Sequence, residues 1–299
     1  MTDAPATLYL TNLTPAFPFF VGIDSDGCVF DTMEIKHKEC FIPNIINYWG
    51  LQSVSKYARE AAEFVNLYSK WRGVNRWLAL IKVLDVLRER PEVIARHAHI
   101  PELPAVRAFI AAGGALSNEM LAKRIEETGS EELKKALVWS NAVNTTIAGM
   151  VHGVPPFPYV RESLDTLRLK ADVIVVSQTP VEALVREWQE HAIDGYVRVI
   201  AGQEMGTKSD HIRLASQGRY ADVHKLMIGD APGDLKAARD NNALFYPINP
   251  GFEQESWQRF NNEGLDRFLD GSFAGAYEQS LIAEFERLLP ETPPWKKVG

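Results

Sequence analysis

The chain has 299 residues, of which 46% are hydrophobic, and a formal net charge of -7. This length allows a large core and about two folding units, since domains usually contain about 100 to 200 residues. The acidic balance argues against a broad nucleic-acid surface, two cysteines (Cys28 and Cys40) are too few for a disulfide framework, and no stretch approaches the roughly 20 apolar residues of a membrane helix.

Short apolar runs in the sequence predict the strands of a parallel sheet, because they are continuous rather than alternating. In chain order they cover residues 17–23, 171–177, 195–202, 224–229 and 243–248, of which 195–202 is the weakest. Helical patterns separate the later runs, at residues 181–192, 208–217 and 233–241. This alternation predicts an α/β fold with a Rossmann-like parallel sheet and helices on both faces.

A long insertion separates the first two predicted strands. About 140 residues there are almost wholly helical in pattern, which is far longer than a usual connection. We therefore expect an inserted all-helical domain at residues 33–150, and a discontinuous α/β core formed by residues 1–32 and 151–299. The core would carry a C-terminal helical extension after residue 250, ending in a frayed segment, "PETPPWKKVG".

Polar residues follow the predicted strands at the point where each strand ends. Ligands of open α/β sheets bind at these carboxyl ends, so the residues are expected to converge on one crevice. In chain order they are Asp24, Asp26, Ser177, Lys208, Asp230 and Asp234.

Several carboxylates in one crevice repel each other unless a cation joins them. They favour a hard dication that takes oxygen ligands, and Mg²⁺ fits best because it retains several waters and needs few protein ligands. A phosphoryl group would then bridge the metal, the Ser177 hydroxyl and the Lys208 ammonium. One aspartate would attack phosphorus while another transfers protons.

Four motifs, in this order, resemble those of the haloacid dehalogenase-like superfamily of phosphatases and phosphomutases. "DSDGCVFDT" is similar to the D-x-D-G motif with its downstream D-[ST], "VIVVSQ" to the strand ending in Ser or Thr, "GTKSDH" to the lysine motif and "MIGDAPGD" to the acidic motif. The resemblance covers about residues 17–32 and 155–250, and the insertion lies where the superfamily has its helical cap of the first type. Among its members, the chain is similar to β-phosphoglucomutase and to phosphoglycolate phosphatase-like phosphatases.

The resemblance implies a catalytic role for four residues. Asp24 would be the nucleophile that forms an aspartyl-phosphate, and Asp26 the acid that protonates the leaving group and then activates water. Ser177 and Lys208 would hold the phosphoryl oxygens. Superfamily dehalogenases lack the second aspartate of the first motif, so Asp26 argues against that chemistry.

The resemblance also implies the ligands of Mg²⁺. They would be the Asp24 carboxylate, the backbone carbonyl of Asp26 and the Asp230 carboxylate, with Asp234 in support through water or Lys208. The implied activity is that of a Mg²⁺-dependent phosphoric monoester hydrolase.

Three further residues are candidate substrate contacts. "WRGVNRWL" in the insertion resembles the glycine-containing cap loop that is followed by an arginine for substrate phosphate, and Gly73 and Arg76 occupy the matching places. Gln178, which follows Ser177, is the third candidate.

Other functions remain open from the sequence. A phosphomutase would use the same four motifs and pass the phosphoryl group to a sugar hydroxyl rather than to water. A phosphonate-cleaving enzyme would need a Schiff-base lysine from the cap, for which Lys36, Lys56 and Lys70 are candidates. A non-catalytic binding protein on this fold is the alternative from a different class.

The expected partner is a small phosphorylated metabolite, with no nucleic acid or membrane, and the expected state is a monomer or homodimer. The N-terminal stretch "MTDAPATLYLTNLTPAFPFF" has no basic region ahead of an apolar one, unlike a secretory signal. A cytoplasmic location is therefore expected.

Overall fold

A computed structural model of the chain describes residues 7–296. These residues form two compact units. The core unit contains the described residues up to Thr32 together with Gly153–Leu288, and the helical unit contains Met33–His152 together with the described residues from Leu289 onward. Residues 1–6 and 297–299, which were assigned to the core from the sequence, lie outside the described residues.

The core unit is built on a five-stranded parallel sheet with the strand order β3-β2-β1-β4-β5. Each predicted apolar run contains one strand, and the weakest run contains the shortest, at the edge of the sheet. The predicted α/β fold class is therefore confirmed. The strands are β1 Phe19–Ile23, β2 Ala171–Val176, β3 Val199–Ala201, β4 Lys225–Gly229 and β5 Leu244–Pro247.

Strand β1 lies at the centre of the sheet, between β2 and β4. Its last residue, Ile23, is in register with Val175 of β2 and Ile228 of β4. The residues that follow these three strands therefore begin at the same level, on one edge of the sheet. Gly22 leaves room for side chains of the neighbouring strands, since a Cβ there would lie only 3.0 Å from a Val176 methyl group and 3.1 Å from Met227 Sδ.

Helices connect the strands of the core unit and form its C-terminal extension. The predicted helical extension after residue 250 begins with two α-helices joined by a π-helical turn, Phe260–Gly264. The α-helices are Leu8–Thr11, Val160–Leu167, Val181–Glu190, Lys208–Ser216, Pro232–Asp240, Glu253–Arg259, Leu265–Asp270 and Ala276–Leu288.

The helical unit contains helices and loops but no strand over residues 33–152 and 289–296, which confirms the predicted all-helical insertion. Its core includes the fully buried rings of Trp77 and Trp139, whose centroids are 5.6 Å apart. Over residues 7–296, each helix is too short or too polar to cross a bilayer. The helices are Thr32–Ile35, Ile42–Trp49, Ser55–Leu67, Arg76–Arg88, Pro91–Ala95, Pro104–Ala111, Asn118–Thr128 and Glu131–Met150, with a π-helical turn at Lys36–Phe41.

The C-terminal segment differs from the prediction, which assigned it to the core as a frayed end. From Leu289 it belongs to the helical unit. The Trp295 ring lies 4.4 Å from the Arg90 guanidinium and 5.7 Å from the Phe64 ring. Burying a large aromatic ring against such partners offsets the entropy cost of ordering the segment. The chain consequently passes between the two units three times, after Thr32, after His152 and after Leu288.

Candidate active site

Three buried aspartates meet at the carboxyl ends of β1 and β4. Asp24 follows β1, Asp230 follows β4, and Asp234 lies in the first turn of the helix Pro232–Asp240. One carboxylate oxygen of each lies within 4.8 Å of the others, and none of the three residues is more than 5% exposed. The two strands are adjacent and parallel, so their ends bring these carboxylates together.

Lys208, the first residue of the helix Lys208–Ser216, joins this cluster. Its Nζ donates to Asp24 Oδ2 at 2.7 Å and to Asp234 Oδ1 at 2.6 Å. Although burial lowers it, the carboxylates of Asp234 and Asp24 raise the pKa of Lys208 above its ordinary value. Lys208 is therefore a cation in this site.

The cluster carries more negative charge than Lys208 neutralises. Burial, together with the carboxylates of Asp234 and Asp230, raises the pKa of Asp24 well above its ordinary value, while Lys208 opposes this shift. With all three carboxylates ionised, the cluster would hold three negative charges against the one ammonium of Lys208, a state that burial makes costly unless another cation joins it. A divalent cation that prefers oxygen ligands would balance this charge, so the residues fit Mg²⁺.

Backbone groups hold two of the aspartates in place. The Ser25 amide donates to Asp24 Oδ1 at 2.8 Å, and the Ala231 amide donates to Asp234 Oδ2 at 3.0 Å. Both Asp234 oxygens thus accept hydrogen bonds, one from this amide and one from Lys208. Asp234 fixes the position of Lys208 as well as the start of its own helix.

Gly229, at the end of β4, is required by this arrangement. A Cβ there would lie 2.4 Å from both Cβ and Cγ of Asp234, a distance that real side chains do not reach. The absence of a side chain at this position lets the Asp234 carboxylate pack against the strand end and point to Lys208.

Gly229→Ala is expected to destabilise the protein by about 3 kcal/mol or more, since the clash is with a fixed, buried side chain. Urea unfolding would measure the change. The matched control is Gly233→Ala, four residues later in the exposed first turn of the helix, where a Cβ meets no atom within 4 Å. This control should be neutral or slightly stabilising. Equal stability of the two variants would contradict the packing argument.

Asp26 is held by two hydroxyl groups. Thr179 Oγ1 donates to Asp26 Oδ2 at 2.7 Å, and Thr32 Oγ1 donates to Asp26 Oδ1. Sequence reasoning did not identify either threonine. Thr32 is the second residue of the D-[ST] pair in the first motif, so a signal for it existed. Thr179 lies in a loop with no distinguishing pattern.

Ser177 and Gln178 follow strand β2. Ser177 is buried, and its Oγ accepts a hydrogen bond from the Thr179 amide at 3.2 Å. The Gln178 amide donates to the Gly206 carbonyl at 3.0 Å. Gln178 therefore connects the loop after β2 to the loop that precedes Lys208, both within the core unit.

Gly73 and Arg76 belong to the helical unit. Arg76 donates to Ser140 Oγ and to Asn144 Oδ1, both at 2.8 Å, and its guanidinium lies 5.4 Å from the Phe41 ring. Burial lowers the pKa of Arg76. These contacts link the helix Arg76–Arg88 to the helix Glu131–Met150, and the contact of Arg76 with substrate stays a prediction.

Comparison with known proteins supports the fold. No family profile matches the chain, and no curated protein matches its sequence. A haloacid dehalogenase-like family hydrolase from Streptococcus pneumoniae is 14% identical, with a TM-score of 0.50 over 84% of this chain and 98% of that one. A β-phosphoglucomutase from Clostridium difficile is 13% identical, with a TM-score of 0.50 over 86% and 99%. The chain therefore has the fold of the haloacid dehalogenase-like proteins, as its motifs predicted.

Proposed function

We propose that the protein is a Mg²⁺-dependent phosphatase that hydrolyses a small phosphorylated metabolite through an aspartyl-phosphate on Asp24. One observation carries the proposal: three buried aspartates converge at the ends of β1 and β4, with the Lys208 ammonium 2.7 Å from Asp24. This combination supplies a nucleophile, a cation for phosphoryl oxygens and ligands for a metal within one site.

The Asp24 and Asp230 carboxylates and the Asp26 carbonyl would hold Mg²⁺. Asp234 would contribute indirectly, through water or Lys208, because its oxygens already accept hydrogen bonds from Lys208 and the Ala231 amide. The bound metal would neutralise the carboxylates and polarise the phosphoryl group. The three buried carboxylates, which outnumber the Lys208 ammonium beside them, support this assignment.

In the first step, an Asp24 oxygen attacks phosphorus and the bond from phosphorus to the leaving oxygen breaks. Asp26 gives its proton to that oxygen, so the leaving group departs as an alcohol. Lys208 and Ser177 bind the phosphoryl oxygens and stabilise the charge that develops on them. The phosphoryl group is then esterified to Asp24.

In the second step, water attacks the phosphorus of the aspartyl-phosphate and gives a proton to the Asp26 carboxylate. The bond from phosphorus to the Asp24 oxygen breaks, which releases inorganic phosphate and restores the Asp24 carboxylate. Asp26 is protonated again and ready for the next substrate.

Phosphomutase activity is the second candidate. It shares the first step and differs in the acceptor, a sugar hydroxyl instead of water. The similarity in fold to a β-phosphoglucomutase supports it. The sequence motifs and the core site serve both reactions equally.

A panel of phosphorylated metabolites, assayed with Mg²⁺ for inorganic phosphate and by ³¹P NMR for isomer formation, tests the proposal. We expect phosphate release from at least one small metabolite, and none with Asp24→Asn. Isomerisation of a sugar phosphate without phosphate release would replace the phosphatase by the phosphomutase. If the wild type neither hydrolysed nor isomerised any compound, both functions would be contradicted.

A further inference from the structure

The carboxylate of Asp26 accepts hydrogen bonds from two separate segments of the core unit. Thr32, which donates to Oδ1, belongs to the same motif as Asp26, whereas Thr179, which donates to Oδ2, comes from the loop after β2. We infer that Thr179 is a positioning residue that orients Asp26 for proton transfer. This inference rests on the proposed function, since it presumes that Asp26 exchanges protons with the reacting oxygens.

Hydrogen bonds hold the backbone around Thr179 and so place its Cβ, and the bond to Asp26 orients its hydroxyl. The Thr179 amide donates to Ser177 Oγ at 3.2 Å, and its carbonyl accepts from the Gln203 amide at 3.1 Å. Pro180 follows and restricts Thr179 to extended backbone. Gly202 permits the close approach of the next loop, since a Cβ there would lie 2.6 Å from the Thr179 carbonyl oxygen.

Two donors on different oxygens define the plane of the Asp26 carboxylate. The terminal torsion of an aspartate is broad, so a donor on one oxygen alone would leave the plane poorly determined. A carboxylate oxygen can accept more than one hydrogen bond, so the two hydroxyl donors do not by themselves prevent Asp26 from meeting a substrate oxygen or a water. The Thr179 bond also connects Asp26 to the loop that carries Ser177.

This role predicts effects that differ between the two chemical steps. A p-nitrophenolate leaving group departs without a proton, so its transfer to Asp24 does not depend on the orientation of Asp26. Hydrolysis of the aspartyl-phosphate requires Asp26 to accept a proton from water, whichever substrate was used. An alkyl phosphate depends on Asp26 in both steps.

The experiment compares Thr179→Val, which removes the hydroxyl at nearly constant volume, with Thr179→Ser, which retains it. For an alkyl phosphate, Thr179→Val should lower kcat by about 10- to 100-fold, the scale of one hydrogen bond to a charged group, with KM changed less than about threefold. Thr179→Ser should retain most of the wild-type kcat, because its hydroxyl can still donate to Asp26. The control is Thr166→Val, on an exposed face of the helix Val160–Leu167, which should match the wild type.

Rapid mixing with p-nitrophenyl phosphate provides the readout that a purely structural role would not give. Thr179→Val should release a burst of p-nitrophenol at the wild-type rate, followed by a slower steady state. Asp24→Asn should give no burst. If Thr179→Val did not fold, as judged by circular dichroism, Thr179→Ala would be measured in the same way.

Three results would overturn the inference: wild-type kcat for the hydroxyl-free variant, burst and steady state slowed by the same factor, or failure of Thr179→Ser to recover activity. The proposed function fails in a different way, through a wild-type protein that releases no phosphate from any monoester. The two failures are thus distinguishable.

Discussion

Asp24→Asn is expected to lower kcat by at least about 10³-fold, because an amide cannot replace the carboxylate as nucleophile. The fold should persist. Burial raises the pKa of Asp24, so its charge is costly in the folded protein, and the neutral amide has the same shape. Lys208 retains its partner Asp234 in the variant. Phosphate release and the thermal unfolding midpoint measure the two effects.

Asp240→Asn is the matched control, since Asp240 is an exposed aspartate that pairs with Lys236 at the end of its helix. It should retain full activity. Acid quenching during turnover should trap a phosphorylated wild-type protein and no phosphorylated Asp24→Asn. Retention of more than a few percent of wild-type activity by Asp24→Asn would remove Asp24 from the role of nucleophile.

Removal of divalent metal is expected to abolish activity, and added Mg²⁺ to restore it. Without the metal, an approaching phosphate would be repelled by the three clustered carboxylates, whose charge Lys208 offsets in part. Ca²⁺ should inhibit, because it prefers six to eight oxygens at longer distances and would engage the nucleophilic carboxylate more fully. Activity in EDTA, and after titration with each ion, measures this dependence.

The contributions of Asp230 and Asp234 to metal binding can be distinguished by thermal stability as well as by the rate of phosphate release. A metal that binds the folded chain raises its unfolding temperature. Mg²⁺ should do so for the wild type, and Asp230→Asn should weaken the effect more than Asp234→Asn, because both Asp234 oxygens already accept hydrogen bonds. Full activity in excess chelator would contradict the metal site, whatever the behaviour of the variants.

Much of the fold could be predicted because each strand and helix leaves its own pattern of apolar residues in a short stretch of the sequence. Strands buried on both faces produce continuous apolar runs, and parallel strands align their carboxyl ends, so residues such as Asp24 and Asp230 could be expected to meet. The weak run at residues 195–202 contains only the short edge strand Val199–Ala201, where fewer residues need to be apolar.

Contacts between distant segments could not be predicted in this way. Periodicity records which face of an element is buried but not which side chain it meets. The bond from Thr179 to Asp26 spans 153 positions, and that from Arg76 to Ser140 spans 64. Arg76 has the glycine-loop context of a substrate-binding arginine, yet this context carries no information about its hydrogen bonds to the facing helix.

The three passages of the chain between its units have a consequence for protein engineering. An insertion with two crossings can be excised and its ends rejoined, leaving a self-sufficient scaffold. Here, deleting residues 33–152 would also strip the C-terminal segment of the surface on which Trp295 packs, exposing an apolar peptide. A minimal core should therefore end at Leu288, and a transplanted helical unit should carry residues 289–296 with it, either tethered or supplied as a separate peptide.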